Sequence, residues 1–230
     1  MYYKESWLDK LDRKFGRHAI PNLMTILIIC TIAAWGLNYI MYFQTGMSFS
    51  SYLTFDRDLI FQGQVWRLIT FLFIPPSGNV IFSAFMLYFY WMIGSALERE
   101  WGDFRFNLYY LFGFLGAIVS GLITGYSTGE YINLSLFLAF AILNPNFPVR
   151  LFFILPIPVK FLAIVDGLYL ILRIVRESWP GRVAIAFSLL NLLLFFGGDL
   201  FRRIKNLRRQ KEYRDSFENQ SDYWDDSWRR

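Results

Sequence analysis

Residues 63–102 read GQVWRLITFLFIPPSGNVIFSAFMLYFYWMIGSALEREWG, and their charge pattern decides the fold. No Asp, Glu, Lys or Arg occurs from Leu68 to Leu97. Pro75-Pro76 followed by Ser77-Gly78-Asn79 cannot continue a helix. The run therefore divides into a loop through about Asn79 and an apolar helix over 80–97, closed by Glu98-Arg99-Glu100. A helix needs about 20 apolar residues to cross the hydrocarbon core of a bilayer, so this stretch is read as one membrane span.

The rest of the chain fits that solvent. Of 230 residues, 55% are hydrophobic and 20% aromatic, while 18% are charged, below the roughly 25% of a soluble domain. That balance excludes a disordered chain, a collagen-like chain and an ordinary cytosolic globule. A single cysteine, Cys30, allows no internal disulfide and no multi-Cys zinc or iron–sulfur site. A single histidine, His18, excludes H-E-x-x-H chemistry. No metal site and no cofactor is expected. The net charge of +5 is concentrated in the two ends, where membrane proteins place it, and does not indicate nucleic acid.

Upstream, the charge-free stretch between Arg17 and Asp56 holds a first span over 22–43, too long for a signal-peptide core and without a small-residue cleavage site. The connection 44–76 carries Asp56, Arg57 and Asp58 among Trp, Phe and Leu, and reads as an interfacial segment. Downstream, a third span over 106–126 carries Gly113, Gly116, Gly121 and Gly125. The last pair fits GxxxG, so these glycines are expected at close helix contacts. A fourth span, 132–143, ends at Asn144-Pro145-Asn146. Its roughly 18 Å is too short to cross in contact with lipid and belongs in a bundle centre. A fifth follows Pro156, Pro158 and Lys160 to about Leu172, and a sixth covers 182–200.

Six spans place both termini on one side, and the Lys and Arg positions make that side cytoplasmic. Arg57, Arg67, Arg173, Arg176 and Arg182 fall outside, and the other eighteen inside, although the last three run against the bias locally. The expected organisation is a basic cytoplasmic segment (1–21), a six-helix membrane domain (22–200) and a charged cytoplasmic tail (201–230). A plasma or inner membrane is the expected location, with membrane lipids as partners.

Within this frame one block stands out: Gly63-Gln64-Val-Trp66-Arg67-Leu-Ile-Thr70 before the second span, then Leu97-Glu98 closing that span before Gly102. Trp66 and Arg67 lie at a membrane boundary, where an aromatic ring and a snorkelling cation are favoured and where Arg67 can bond loop carbonyls. Glu98 can accept bonds from the amides before the third span or pair with Arg105. The order of these blocks resembles the rhomboid-like superfamily, which includes the rhomboid intramembrane serine proteases and the Derlins. There a Gly-Gln-x-Trp-Arg-Leu-x-Thr segment precedes the second helix and a Leu-Glu pair closes it before a glycine. The similarity extends through Asn144-Pro145, Val149-Arg150 and Leu155-Pro-Ile-Pro158-Val-Lys160. It implies an all-α membrane protein: a rhomboid-like bundle of six transmembrane helices with a long interfacial loop between helices 1 and 2.

The chain departs from the proteases of that family where their chemistry lies. They use Gly-x-Ser-Gly at the start of helix 4 and a histidine on helix 6. Here the corresponding segments read Glu130-Tyr-Ile-Asn133-Leu-Ser135-Leu and Ala186-Phe-Ser188-Leu-Leu-Asn191-Leu, with neither. A serine without an adjacent base is a poor nucleophile, so no catalytic residue is expected. The resemblance then implies a pseudoprotease or Derlin-like protein that recognises or handles transmembrane client segments. Asn133, Ser135, Asp166 and Asn191 are candidates to line its cavity; Asp166 is read either as a functional carboxylate facing the bundle interior or as a structural one bonded to Asn133 or Asn191. Two alternatives stand beside this reading: an active intramembrane serine protease with a non-standard catalytic group, and a small transporter built around Asp166 and Lys160. The oligomeric state and the client's identity are not legible in the sequence.

Overall fold

The computed structural model describes residues 7–75, 79–151 and 155–196. The turn at Pro76-Ser77-Gly78, the end of the sixth span from 197 with Asp199, and the tail 201–230 lie outside the described residues. The chain divides into two compact units, Met1–Leu192 and Leu193–Arg230, and the geometry below belongs to the first.

Ten helices follow one another among the described residues: α1 (Trp7–Phe15), α2 (Leu23–Thr45), α3 (Ser50–Leu53), α4 (Arg57–Phe61), α5 (Arg67–Thr70), α6 (Val80–Trp101), α7 (Asp103–Thr124), α8 (Glu130–Leu143), α9 (Val159–Arg176) and α10 (Trp179–Phe196). A two-stranded sheet, β1 (Pro148–Leu151) and β2 (Leu155–Pro158), lies between α8 and α9. Four of the helices, α2, α6, α7 and α10, are long and apolar enough to cross a membrane. They leave large apolar side chains bare: on α2, Ile26, Ile29, Ile32, Leu37, Ile40 and Phe43 are all exposed. Contiguous apolar surface of this extent has no stable place in water. The protein is helical and built for a bilayer.

α8 is shorter, at 14 residues, and more enclosed; it buries eight of them, from Tyr131 to Ala141, whereas the 23 residues of α2 bury only Met24, Thr31 and Ala34. α9 is amphipathic and carries Lys160, Asp166, Arg173 and Arg176, which separates it from the four apolar helices.

The helix boundaries have local causes. Asn79 caps α6, its side chain accepting a hydrogen bond from Phe82 N at 2.7 Å. Gly102 alone joins α6 to α7; its φ of +82° is open to glycine and strained for other residues, so the chain reverses in one residue.

The helical architecture fits the expected all-α membrane class, and the described residues add one short hairpin to it. Pro156 and Pro158 do more than break a helix. The strands pair Pro148 with Pro158 and Arg150 with Pro156, while Val159 N donates to Phe147 O at 2.9 Å. That register puts all three prolines at positions whose nitrogens face away from the partner strand, so no ladder bond is lost.

The glycines of α7 also part ways. A Cβ on Gly113 would stand 3.1 Å from Asn191 Nδ2, and one on Gly116 would stand 3.4 Å from Phe187; both face α10. Gly121 faces no helix. A Cβ there would lie 2.5 Å from the ring of Phe55, in the connection between α3 and α4. Gly125 has open space beside it and φ +92°, and it ends α7. The GxxxG reading of residues 121–125 as a helix–helix contact is therefore corrected. Gly121→Ala is expected to lower the melting temperature in detergent, because the fully buried Phe55 ring must shift, at about 1–3 kcal/mol. Gly36→Ala, with nothing within 4 Å, is expected to leave it unchanged or raise it. Equal melting of the two variants would contradict the Phe55 contact.

Candidate functional site

The connection between α2 and α6 is a built structure. Asp56 caps α4 through the amides of Asp58 (3.0 Å) and Leu59 (3.1 Å). Gly63, at φ +103°, turns the chain into Gln64 and α5. From there the block closes over four successive carbonyls at the end of α3. Arg67 Nη1 donates to Ser51 O and Thr54 O, both at 2.8 Å; Trp66 Nε1 donates to Tyr52 O at 3.2 Å; Thr70 Oγ1 donates to Leu53 O at 3.1 Å. These are the carbonyls a short helix leaves without intrahelical partners. Gln64 Oε1 accepts from Arg67 Nε at 2.8 Å and holds the fork in place, and the arginine side chain is buried. This explains why Gln, Trp, Arg and Thr occur at that spacing.

At the far end of α6, Leu97 and Glu98 are also buried. Glu98 takes neither the amides before α7 nor Arg105. Its Oε1 accepts from Leu23 N at 2.6 Å and its Oε2 from Met24 N at 3.4 Å, the first amides of α2. Asn22, at the cap position, is left-handed (φ 55°) and makes no side-chain cap. A carboxylate 75 residues away in sequence does so instead, adding favourable charge at a helix N-terminus. Arg105 reaches Asp12 at 3.8 Å.

Between these two staples lies a cavity of about 660 Å³, bounded by α2, α6, α8, α9 and the start of α10. Met24, Thr31, Leu87 and Tyr90 form one side; Asn133, Tyr169 and Arg173 form the other. Its rim holds a charge cluster. Arg173 reaches Glu130 on α8 (3.0 Å) and Glu177 (2.5 Å), and its guanidinium lies over the rings of Tyr131 (5.6 Å) and Tyr169 (5.5 Å). Arg182 donates to the backbone carbonyls of Glu177 and Val175 at 3.0 and 3.2 Å. Two of the three arginines that run against the expected bias are thus matched within the protein: Arg173 by two carboxylates, and Arg182 by carbonyls at the end of α9.

The four cavity candidates do not converge. Asn133 lines the cavity. Ser135 is 1% exposed, and its hydroxyl donates to Ile132 O at 2.8 Å. It borders a separate void of about 10 Å³ beside Gly113 and Ser188, room for one water at most. Asn191 is buried and donates to Tyr109 O at 3.2 Å. Asp166 bonds neither asparagine, which corrects the reading that bonds it to one; its Oδ2 is buried without a hydrogen-bond partner among the described residues. Tyr90, on the cavity wall, lies within electrostatic reach of both Asp166 and Glu130. Lys160 donates to Asn146 Oδ1 at 3.1 Å, beyond the end of α8 opposite to Ser135, so the two cannot form a dyad. His18 closes the exposed turn after α1.

Sequence reasoning missed the Glu130–Arg173–Glu177 cluster and its tyrosines. The available signal was the trio Arg173, Arg176 and Arg182, which ran against the charge bias expected from the sequence. No protein-family model matches this chain, and no match is found among curated proteins.

Proposed function

We propose that this chain is a rhomboid-like membrane protein of six spans, with both termini cytoplasmic in a plasma or inner membrane, that receives transmembrane segments of client proteins and does not hydrolyse them. The observation that carries the reading is the cavity between α6 and α9. It is large enough for several side chains, polar where Tyr90, Asn133 and Arg173 face it, and flanked by helices whose outer faces are apolar. A helix with polar residues in its span gains partners there that lipid does not offer. Glu98 ties the end of α6 to the start of α2, and Arg67 fixes the fold of the connection between those helices. α9 is the lighter wall, burying only Val159 and Leu170.

Two features weigh against hydrolysis at Ser135. Its hydroxyl is spent on the Ile132 carbonyl, and the adjoining void is too small for a substrate carbonyl with its flanking chain. The transporter alternative requires Asp166 on the path, whereas α9 meets the cavity through Tyr169 and Arg173.

The test is direct. Purified protein is expected to resist labelling by a fluorophosphonate and to leave a generic rhomboid substrate intact. Cleavage that disappears in Ser135→Ala would overturn the reading and promote the protease.

A further inference from the structure

We infer that α1 is a docking surface for anionic phospholipid headgroups of the leaflet in which α2 begins. The inference rests on α2 crossing a membrane and is independent of client handling.

Two stripes run along α1 and the turn that follows it. Lys10, Lys14 and Arg17, spaced i, i+4 and i+7, share one side, and all are exposed. Leu8, Leu11 and Phe15 share another; the leucines are half-buried and Phe15 is 44% exposed. Lys14 Nζ lies 5.3 Å from the Phe15 ring centroid, so charge and apolar surface adjoin. Asp12 is drawn away from the cations, towards Arg105 on α7. This pattern suits a helix lying in the plane of a membrane surface.

The second observation is where α1 is held. Asn107 Nδ2, in the first turns of α7, donates to Ile20 O at 3.1 Å, and Glu98 holds Leu23 N. These bonds fix residues 20–23 to the ends of α6 and α7. With only a few residues between Arg17 and that strap, the cations stay level with the end of the α2 span, at headgroup depth. Two acids at this end are engaged within the protein: Glu98 with α2, and Glu100 with Asn144 Nδ2 at 2.9 Å. A free anion would satisfy the cations but leave Phe15 in water. A phospholipid satisfies both, with phosphate at the cations and hydrocarbon beneath the ring.

The experiment compares amide hydrogen exchange over residues 8–18 in nanodiscs of phosphatidylcholine, with and without phosphatidylglycerol. Exchange is expected to be at least about 5-fold slower with the anionic lipid, since each cation near such a surface adds to the attraction. Replacing Lys10, Lys14 and Arg17 together by glutamine should abolish the slowing, and so should high salt. Lys10→Arg with Lys14→Arg should retain it. Inorganic phosphate added to phosphatidylcholine discs should not produce it. Equal exchange in the two lipids, slowing that survives the triple glutamine variant, or slowing by phosphate alone would each overturn the inference.

Discussion

Arg67→Ala is expected to cause the largest loss of stability of any single substitution in the connection between α2 and α6. It strips partners from Ser51 O, Thr54 O and Gln64 Oε1 at once, all beside a buried side chain. A buried group left unpaired costs about 1–3 kcal/mol. Ser51 O keeps Thr54 Oγ1 at 3.0 Å, so the unpaired groups are Thr54 O and Gln64 Oε1, still a large loss for a marginally stable fold. Arg67→Lys should recover only part, because an ammonium cannot reproduce the guanidinium fork that spans Gln64 on one side and the α3 carbonyls on the other. Thermal unfolding in detergent, together with protease sensitivity between residues 46 and 75, reads the effect. Melting of Arg67→Ala within a degree or two of the parent would contradict the staple.

Glu98→Ala is expected to rank next. The carboxylate is the N-terminal cap of α2, and removing it frees the amides of Leu23 and Met24. Loss of a helix cap costs about 0.5–2 kcal/mol, and burial pushes this site towards the upper end. The readout should also be local: faster amide exchange in the first turn of α2, with the connection around Arg67 unchanged. Glu98→Gln, which keeps an acceptor oxygen and loses the charge, should fall between parent and alanine. Equal loss at both ends of α2 would mean that the residue supports the bundle generally and is not a cap.

What the sequence revealed, and what it did not, follows from the range of the interactions. The membrane helices were legible because bilayer crossing is written in local composition: the expected spans 22–43 and 80–97, set by charge gaps and breakers, lie close to α2 (Leu23–Thr45) and α6 (Val80–Trp101). The Gly-Gln-x-Trp-Arg block was legible as a boundary. Its targets, four successive carbonyls thirteen to seventeen residues upstream, were not, because any loop carbonyl is a chemically equal acceptor. Glu98 shows the limit more sharply. Its sequence neighbours offered amides before α7 and the cation Arg105, and both were plausible; the actual partner lies 75 residues away and depends on α2 packing against α6. The hairpin was hidden by its prolines, which read as breakers until their pairing places each nitrogen away from the ladder. Asp166 and Asn191 are both polar residues in apolar surroundings, yet Asn191 bonds Tyr109 O on α7 and Asp166 bonds neither asparagine.

The cavity between α6 and α9 is where the functional account is most exposed to test. A photoreactive benzoylphenylalanine in place of Tyr90 lines that cavity, whereas one in place of Ile29, 60% exposed on α2, faces outward. Both variants would be irradiated in proteoliposomes with a single-span peptide carrying a polar residue at mid-span. The account predicts a cross-linked adduct from position 90, little from position 29, the peptide recovered at full length, and the same yield in a Ser135→Ala background. Equal adducts from both positions, or none from position 90, would contradict it.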